Sequence, residues 1–170
     1  MLCLSAIMIS GCGEKAVKKE KMSDAEICNK IQAIIDDHPN KFSKFKKHMV
    51  IHKRHTSWTA EKILPSAREC QVWEWSTGLT NYHCEWKADD ENKAIANYQE
   101  ANDIIQNCLG PSWTAETNST VSGGRRTMYS KSNTPTAVSI RYFKETTGWV
   151  KGWYNNILIG DRSNLNTPVQ

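Results

Sequence analysis

The feature that most constrains the fold is a two-residue alternation on both sides of the turn Ser76-Thr77-Gly78. Period-two alternation around a glycine-containing turn is typical of a β-hairpin. A pairing centred on Thr77 sets Cys70 directly opposite Cys84. Opposed residues of an antiparallel pair bring their Cβ atoms to about 4.5–5.5 Å, close to disulfide distance. The pattern therefore predicts a hairpin closed by a Cys70–Cys84 disulfide, although a slip of one residue would separate the two cysteines.

Three large side chains alternate with the cysteine face and point to the other side of this hairpin: Trp73, Trp75 and His83. His83 is expected to be exposed, since a surface histidine is far commoner than a general base. Tryptophan is a residue type that dominates binding hot spots, and flat aromatic rings also stack on sugars. Burial in the core is nevertheless the commoner role for any one tryptophan. Trp73 and Trp75 are therefore candidate partner-binding residues, with core packing as the alternative.

Two helices are expected on either side of the hairpin. The first begins at Ser23, where Ser23-Asp24-Ala25-Glu26 has the pattern of a capping box, and it ends at Pro39. Asp89-Asp90-Glu91 suits the positive end of a second helix, and Gly110-Pro111 stops it. In both segments the apolar residues recur at steps of three and four, which predicts one buried face on each helix.

The four cysteines that follow Cys12 predict a second disulfide. Cys28 lies on the apolar face of the first helix and Cys108 ends that of the second, so both are expected to point into the core. Cys28–Cys108 is the natural second bridge, although spacing alone leaves the three possible connectivities open. A four-cysteine zinc site is disfavoured, because such sites usually contain close C-x-x-C pairs and this sequence has none. Paired disulfides indicate an oxidising compartment.

The last third of the chain has the rhythm of an antiparallel meander, with short turn sequences between apolar segments. The expected strands are 113–117, 127–131, 137–145 and 149–159. The expected fold class is therefore α+β: an antiparallel sheet, formed by the hairpin plus a C-terminal meander, with two helices packed on one face. Residues 23–160 are expected to form a single domain, and residues 161–170 a polar tail.

The first twelve residues form an apolar run that ends in Ile9-Ser10-Gly11-Cys12. This stretch resembles the lipobox of bacterial lipoproteins, in which an aliphatic residue, two small residues and a cysteine close a signal peptide. The resemblance implies that residues 1–11 are a signal peptide and that a lipid on Cys12 attaches the protein to a membrane. No Lys or Arg precedes the apolar run, as one usually does in secretory signals; we interpret this as a start placed a few residues too late. An ordinary buried N-terminal helix or strand is the alternative.

The residues after Cys12 bear on where such an anchor would lie. Residues 12–22 are highly charged and are expected to form a flexible tether. Cys12 is followed by Gly13 and not by the Asp that resembles an inner-membrane retention signal, which implies, for a Gram-negative host, the periplasmic face of the outer membrane. No apolar run reaches the roughly 20 residues that a transmembrane helix needs, so attachment would depend on the lipid alone.

Catalytic and cofactor-binding motifs are not found in this sequence. It has no G-x-S-x-G, H-E-x-x-H, P-loop or G-x-G-x-x-G pattern. The carboxylate pairs Asp36-Asp37 and Asp89-Asp90 lie at helix ends, where acids are expected for structural reasons. We therefore expect no catalytic residue and no cofactor, although a site assembled from distant residues would leave no motif. The net charge of +4 is too mild for dedicated nucleic-acid binding.

Residues 41–55 are the most basic part of the chain, and no acid interrupts them. His48, His52 and His55 would share one side of a helix, but no Asp, Glu or Cys lies nearby to complete a ligand set, so no metal site is expected. The segment is either a solvated basic face or a patch that docks an acidic partner. The candidate partner-binding cations are Lys46, Lys47 and Arg54 in this segment, and the adjacent Arg125 and Arg126 in the loop 122–126.

These features together favour a non-catalytic, lipid-anchored binding protein of the cell envelope with one protein partner. The sharpest version is an inhibitor or immunity-type protein that neutralises a toxic or lytic protein in the periplasm. The alternatives are a lipoprotein that binds cell-wall glycans or small ligands through Trp73 and Trp75, and an accessory subunit of an envelope machine. The part after the tether resembles small disulfide-bridged periplasmic lipoproteins of unassigned role, which is analogy at the level of the fold.

Overall fold

The computed structural model describes residues 22–64, 67–120, 123–147 and 151–165, so the predicted lipobox, most of the predicted tether and the start of the predicted strand 149–159 lie outside the described residues. The helices are α1 (Asp24–Asp37), α2 (Glu91–Leu109) and α3 (Arg162–Leu165), and 3-10 turns span His38–Asn40 and Ser43–Phe45. The strands are β1 (Met49–Ile51), β2 (His55–Ala60), β3 (Glu69–Trp75), β4 (Thr80–Ala88), β5 (Thr114–Ser119), β6 (Arg125–Ser130), β7 (Thr136–Glu145) and β8 (Gly152–Asp161). No helix in these ranges is long and apolar enough to cross a bilayer.

The eight strands form one antiparallel sheet in the order β1-β2-β3-β4-β8-β7-β6-β5. Each long helix is followed by a four-stranded meander, and the last strands of the two meanders pair with each other at the centre of the sheet. The predicted α+β class with an antiparallel sheet is therefore confirmed. The two halves share one element order, although the sequence shows no internal repeat.

The main core lies between the two long helices and one face of the sheet. Ile27, Ile31 and Ile34 of α1 recur at steps of four and three, and each is buried. The strands contribute alternate residues to the same core, among them Val72, Tyr82, Val138, Ile140, Ile157 and Ile159. Fully burying one such aliphatic side chain contributes about 1.5–3 kcal/mol, so this layer accounts for most of the packing that holds the helices on the sheet.

Both predicted disulfides are present. Cys70 and Cys84 are direct register partners in the β3–β4 hairpin, with their Cα atoms 4.1 Å apart. Cys28 and Cys108 join α1 to α2 with a Cα separation of 4.9 Å. The expectation that these two cysteines point into the core is only partly met. Both are half-buried.

The ends of α1 follow the sequence signals closely. Ser23 Oγ accepts a hydrogen bond from the Glu26 backbone N–H at 3.3 Å, and Glu26 Oε2 accepts one from the Ser23 N–H at 2.8 Å, which confirms the capping box. The α-helix stops at Asp37, and Pro39 lies in the 3-10 turn that follows. Lys41 and Phe42 then adopt left-handed backbone angles, each with φ of 56°. The basic segment is therefore two tight turns and an edge strand, and not a helix.

The predicted boundary between the domain and a polar tail at residue 161 is wrong. Asp161 is the last residue of β8, and α3 follows it directly. Leu165 is buried against Met128 and Ala137, on the face of the sheet that the long helices do not cover. The reason is that one apolar residue in an otherwise polar segment finds an apolar site on that face. The folded part therefore continues at least to Leu165.

Candidate functional site

A cleft of about 440 Å³ opens on the face of the sheet opposite α1 and α2. Its walls come from β3, β4, β6, β7 and β8 and from the end of α3. The side chains that line it include Trp73, Trp75, Glu85, Arg141, Phe143 and Leu158. They share this face because their neighbours along each strand point into the core, and successive side chains of a strand alternate between faces.

A row of five aromatic rings, called here the aromatic row, consists of His52, His55, Trp73, Trp75 and His83. Its members Trp73, Trp75 and His83 line the cleft, and His55 and His52 continue the row beyond it. The ring centroids of His52 and His55 are 4.4 Å apart, those of His55 and Trp73 5.1 Å, and those of Trp73 and His83 4.5 Å. Trp75 contacts both His55 and Trp73. These separations fall within or just at the range of favourable aromatic pairs. The row therefore presents a continuous, largely rigid aromatic surface across β2, β3 and β4.

His83 is buried, which corrects the prediction that it is exposed. Its side chain lies on the face that was predicted, but Trp73 packs against the ring and Leu158 of β8 is its register partner. Burial, with a smaller contribution from the positive charge of Arg141, lowers the pKa of the imidazole to about 3. His83 is therefore neutral near pH 7. A neutral imidazole of this pKa is a weak base, and near pH 7 it is not in the imidazolium form that acts as a general acid.

Arg141 is the central cation of the cleft. It is mostly buried, its Nε donates a hydrogen bond to Asn156 Oδ1 at 2.7 Å, and its guanidinium lies 4.5 Å from the centre of the Phe143 ring. Burial lowers the pKa of this guanidinium to about 10, so it stays charged at neutral pH. Among the described residues no carboxylate lies within salt-bridge distance of it; Glu85 and Glu145 act on it from further away. Its charge is thus only partly compensated.

Two further polar atoms at the cleft are buried without a hydrogen-bond partner in the described part of the chain: Trp75 Nε1 and Ser139 Oγ. A buried polar group without a partner costs about 1–3 kcal/mol. Together with Arg141, they make this face rich in hydrogen-bond donors that the fold does not use.

The carboxylates near the cleft differ in their environments. Burial raises the pKa of Glu85, while hydrogen bonds from Thr147 lower the pKa of Glu145. No group of three or more His, Cys, Asp or Glu side chains within the described ranges is arranged to hold a metal ion. Of the three histidines considered as a metal face, His52 and His55 stack on each other, and His48 is not among their ring contacts.

The structure separates the two adjacent arginines that the sequence singled out. Arg126 lines the cleft, where its Nη1 donates a hydrogen bond to the backbone oxygen of Leu165 at 2.7 Å and so holds the end of α3. Arg125 is exposed, and its register partner on β7 is the core residue Tyr142, so it lies on the helix side of the sheet. Of the predicted contact residues, Trp73, Trp75 and Arg126 therefore come together.

The three predicted cations of the basic segment do not form one surface. Lys46 is largely buried, with its Nζ 3.0 Å from Glu74 Oε2 and 3.8 Å from the centre of the Trp58 ring, so it serves the fold. Lys47 and Arg54 are exposed. The sequence reasoning missed Arg141 and Phe143, although their alternation with the buried residues of β7 placed them on the open face.

No protein-family model, no curated protein and no solved structure matches this chain.

Proposed function

We propose that this chain is a non-catalytic binding protein that takes a carboxylate-bearing partner into the cleft on the face of its sheet opposite α1 and α2. The observation that carries the proposal is the guanidinium of Arg141, which is mostly buried beside the aromatic row without a carboxylate in salt-bridge distance among the described residues. In its most specific form, the proposal is that the partner is a toxic or lytic envelope protein and that this chain is its inhibitor or immunity-type antagonist.

The chemistry of Arg141 selects the group that would bind. A guanidinium presents donors in a planar fork that matches the two oxygens of a carboxylate. Nε is already used by Asn156, so the terminal nitrogens are the ones to receive a ligand. An incoming Asp or Glu side chain would compensate a charge that the fold leaves partly unpaired. The exchange of water for a carboxylate is more favourable here than at an open surface, because screening is weaker in the cleft.

The aromatic row supplies the contact area around that charge. Trp73 and Trp75 are half-exposed and held in place by ring contacts with His55. Tryptophan and arginine in a well-packed, partly desolvated site are typical of the few residues that carry most of the free energy of a protein interface. Rigid rings also lose little side-chain entropy on binding. A protein partner is therefore favoured over a ligand that uses the charge alone.

The non-catalytic and envelope parts of the proposal have separate support. The described neighbours of the His83 imidazole are the Trp73 ring, the Asn156 amide and, with 3.9 Å between His83 Nε2 and Glu85 Oε2, the Glu85 carboxylate; no hydroxyl or thiol is among them. The four cysteines of the described part are consumed in two disulfides, which fits an oxidising compartment such as the periplasm. Attachment through a lipid on Cys12 remains part of this proposal.

The test compares two arginine variants. The wild-type chain, with its disulfides formed, is used to capture a stoichiometric partner from envelope extract, and the purified pair is then measured by calorimetry. Arg141→Gln is expected to weaken binding at least about 30-fold, since removing one member of a buried charge pair costs about 2–5 kcal/mol. Arg125→Gln, on the other face, is the matched control and is expected to leave the affinity unchanged. Equal affinities of both variants would reject the cleft as the site.

The same experiment separates the inhibitor from an accessory subunit. Loss of the captured partner's own activity in the complex supports an inhibitor, whereas retained or increased activity supports an accessory role. Thermal unfolding of each variant, followed by circular dichroism, checks that a change in affinity does not come from a loss of structure.

A second candidate function is the binding of a carboxylate-bearing cell-wall glycan. The observation that favours it is the cleft itself, because its volume lies in the range of small-ligand pockets and tryptophans line it. Retention of muropeptides by the wild type, their loss in Arg141→Gln, and no stoichiometric protein in the extract would establish this function in place of the first.

A further inference from the structure

The large hydrophobic side chains that are exposed in the described part of the chain are three consecutive residues of one edge strand. Met49, Val50 and Ile51 are 58%, 50% and 74% exposed, and together they are the whole of β1. β1 is the first strand in the order of the sheet, so it pairs with β2 on one side only. Natural edge strands are usually protected from further pairing by charges, proline or short length. Here the strand itself is apolar.

The backbone of β1 also has groups free to pair. The His52 N–H donates to the His55 oxygen at 2.9 Å, which marks a hydrogen-bonded pair. Such pairs alternate with non-bonded pairs in an antiparallel ladder, so Val50 directs its N–H and C=O toward Ser57. Met49 and Ile51 therefore direct theirs away from β2, toward whatever lies beside the sheet.

The charged residues of the segment 41–60, which contains this strand, are all basic, and the acids that act on its lysines, among them Glu61 and Glu74, come from outside it. No acid occurs from residue 41 to residue 60. Lys47, Lys53 and Arg54 are exposed, and no carboxylate of the described residues lies within 4 Å of any of them, whereas Lys41 and Lys46 pair with Glu74. The free cations thus lie at the two ends of the apolar strand, and they favour an occupant with acids at matching positions.

A second copy of this chain does not meet that requirement. Antiparallel self-pairing centred on Val50 would set each copy's Lys47 against the other copy's Lys53, and His48 against His52. Like charges directly opposite each other on neighbouring strands are destabilising. The strand therefore disfavours its own copy and favours a segment of opposite charge.

We propose that β1 is a docking edge that accepts an extended acidic segment of another protein as a ninth strand of the sheet. The backbone of Met49 and Ile51 supplies the hydrogen bonds, apolar side chains of the segment cover those of β1, and flanking Asp or Glu residues contact Lys47 and Lys53. This mode of recognition takes its affinity from the backbone and its selectivity from alternate side chains. It does not depend on what binds in the cleft.

The test uses a labelled peptide of sequence E-D-I-T-V-T-I-D-E and measures its fluorescence anisotropy with the full-length chain. The decisive variant is Ile51→Pro, which removes an N–H that points away from β2 and leaves the β1–β2 ladder intact. It is expected to weaken binding more than about 10-fold, because one backbone bond and the local strand geometry are lost. Ala115→Pro is the matched control: it removes an outward N–H on β5, the opposite edge, and is expected to bind like the wild type.

Charge is tested in the same assay. Lys47→Glu with Lys53→Glu is expected to weaken binding about 10-fold at low salt, and the difference is expected to shrink at about 0.3 M salt, where screening is strong. No saturable binding to the wild type up to about 1 mM peptide, or equal binding by Ile51→Pro and Ala115→Pro, overturns the proposal. Concentration-dependent dimerisation that Ile51→Pro abolishes would instead make a second copy the occupant and also overturn it. Arg141→Gln is expected to bind the peptide with wild-type affinity. The peptide assay therefore tests the β1 edge independently of the proposed binding in the cleft.

Discussion

Replacing both Cys28 and Cys108 with alanine is expected to lower the free energy of unfolding by about 4.5 kcal/mol. The bridge joins positions 80 residues apart, whereas Cys70 and Cys84 are only 14 apart. A cross-link stabilises mainly by reducing the entropy of the unfolded chain, and this effect grows with the logarithm of the loop that it closes. The same relation gives about 3 kcal/mol for the Cys70–Cys84 bridge.

Urea unfolding followed by far-ultraviolet circular dichroism measures both effects. The Cys28→Ala/Cys108→Ala chain is compared with Cys70→Ala/Cys84→Ala and with the wild type under identical conditions. The ranking is the decisive outcome: a larger loss from the hairpin bridge would mean that native-state packing, and not loop entropy, dominates the contribution of these disulfides.

Lowering the pH from 7 toward 3 is expected to destabilise the fold by about 5 kcal/mol through His83 alone. Burial lowers its pKa from 6.5 to about 3 in the folded protein. The two pKa values differ by about 3.5, and each pKa unit corresponds to about 1.36 kcal/mol, which gives a total of about 5 kcal/mol. Between pH 6.5 and 3 the unfolded chain binds a proton at this position and the folded chain does not, so stability falls as the pH falls. Below about pH 3 both states are protonated and this loss stops.

The variant His83→Gln tests this pH dependence, because glutamine keeps a polar side chain that does not titrate. Its free energy of unfolding is expected to vary less between pH 7 and pH 4 than that of the wild type. Hydrogen bonds lower the pKa values of Glu26, Glu61, Glu74 and Glu145, and these groups also lose stabilising interactions in acid. They are common to both chains, so the difference between the two curves isolates His83. Parallel curves would contradict the assignment.

Local sequence signals predicted the elements whose stability is local. The register of the β3–β4 hairpin follows from alternation around Gly78, and both ends of α2 follow from an acidic start and Gly110. The partners of β1 and β2 were not predictable in this way. The apolar residues of 41–55 fit neither helical nor strand periodicity, because β1 is a short edge strand with both faces exposed.

The sequence predicted which face of the sheet carries the candidate site, but not how deeply its side chains are buried. Alternation placed Trp73, Trp75 and His83 correctly on one face, but it left the burial of the two tryptophans open and wrongly predicted that His83 is exposed. How deeply a side chain on it lies depends on β8, which pairs with β4 at the centre of the sheet, and on α3, whose Leu165 packs on the open face. Both are contacts between distant parts of the chain. Local motifs do not reveal such contacts, so they predicted neither the role of Arg141 nor the burial of His83.

The pairing of β4 with β8 also has a consequence for the order of folding during synthesis. Its register joins Asn81 to Gly160, 79 positions later, so closing this pair costs about 4 kcal/mol of chain entropy before its contacts form. The β3–β4 hairpin needs no such closure and can form as soon as residue 88 has emerged. Until β8 is made, one edge of β4 remains open to other strands in the cell. Aggregation of nascent or truncated chains is therefore expected to begin at that edge, and the last ten residues of the sheet are what protects it.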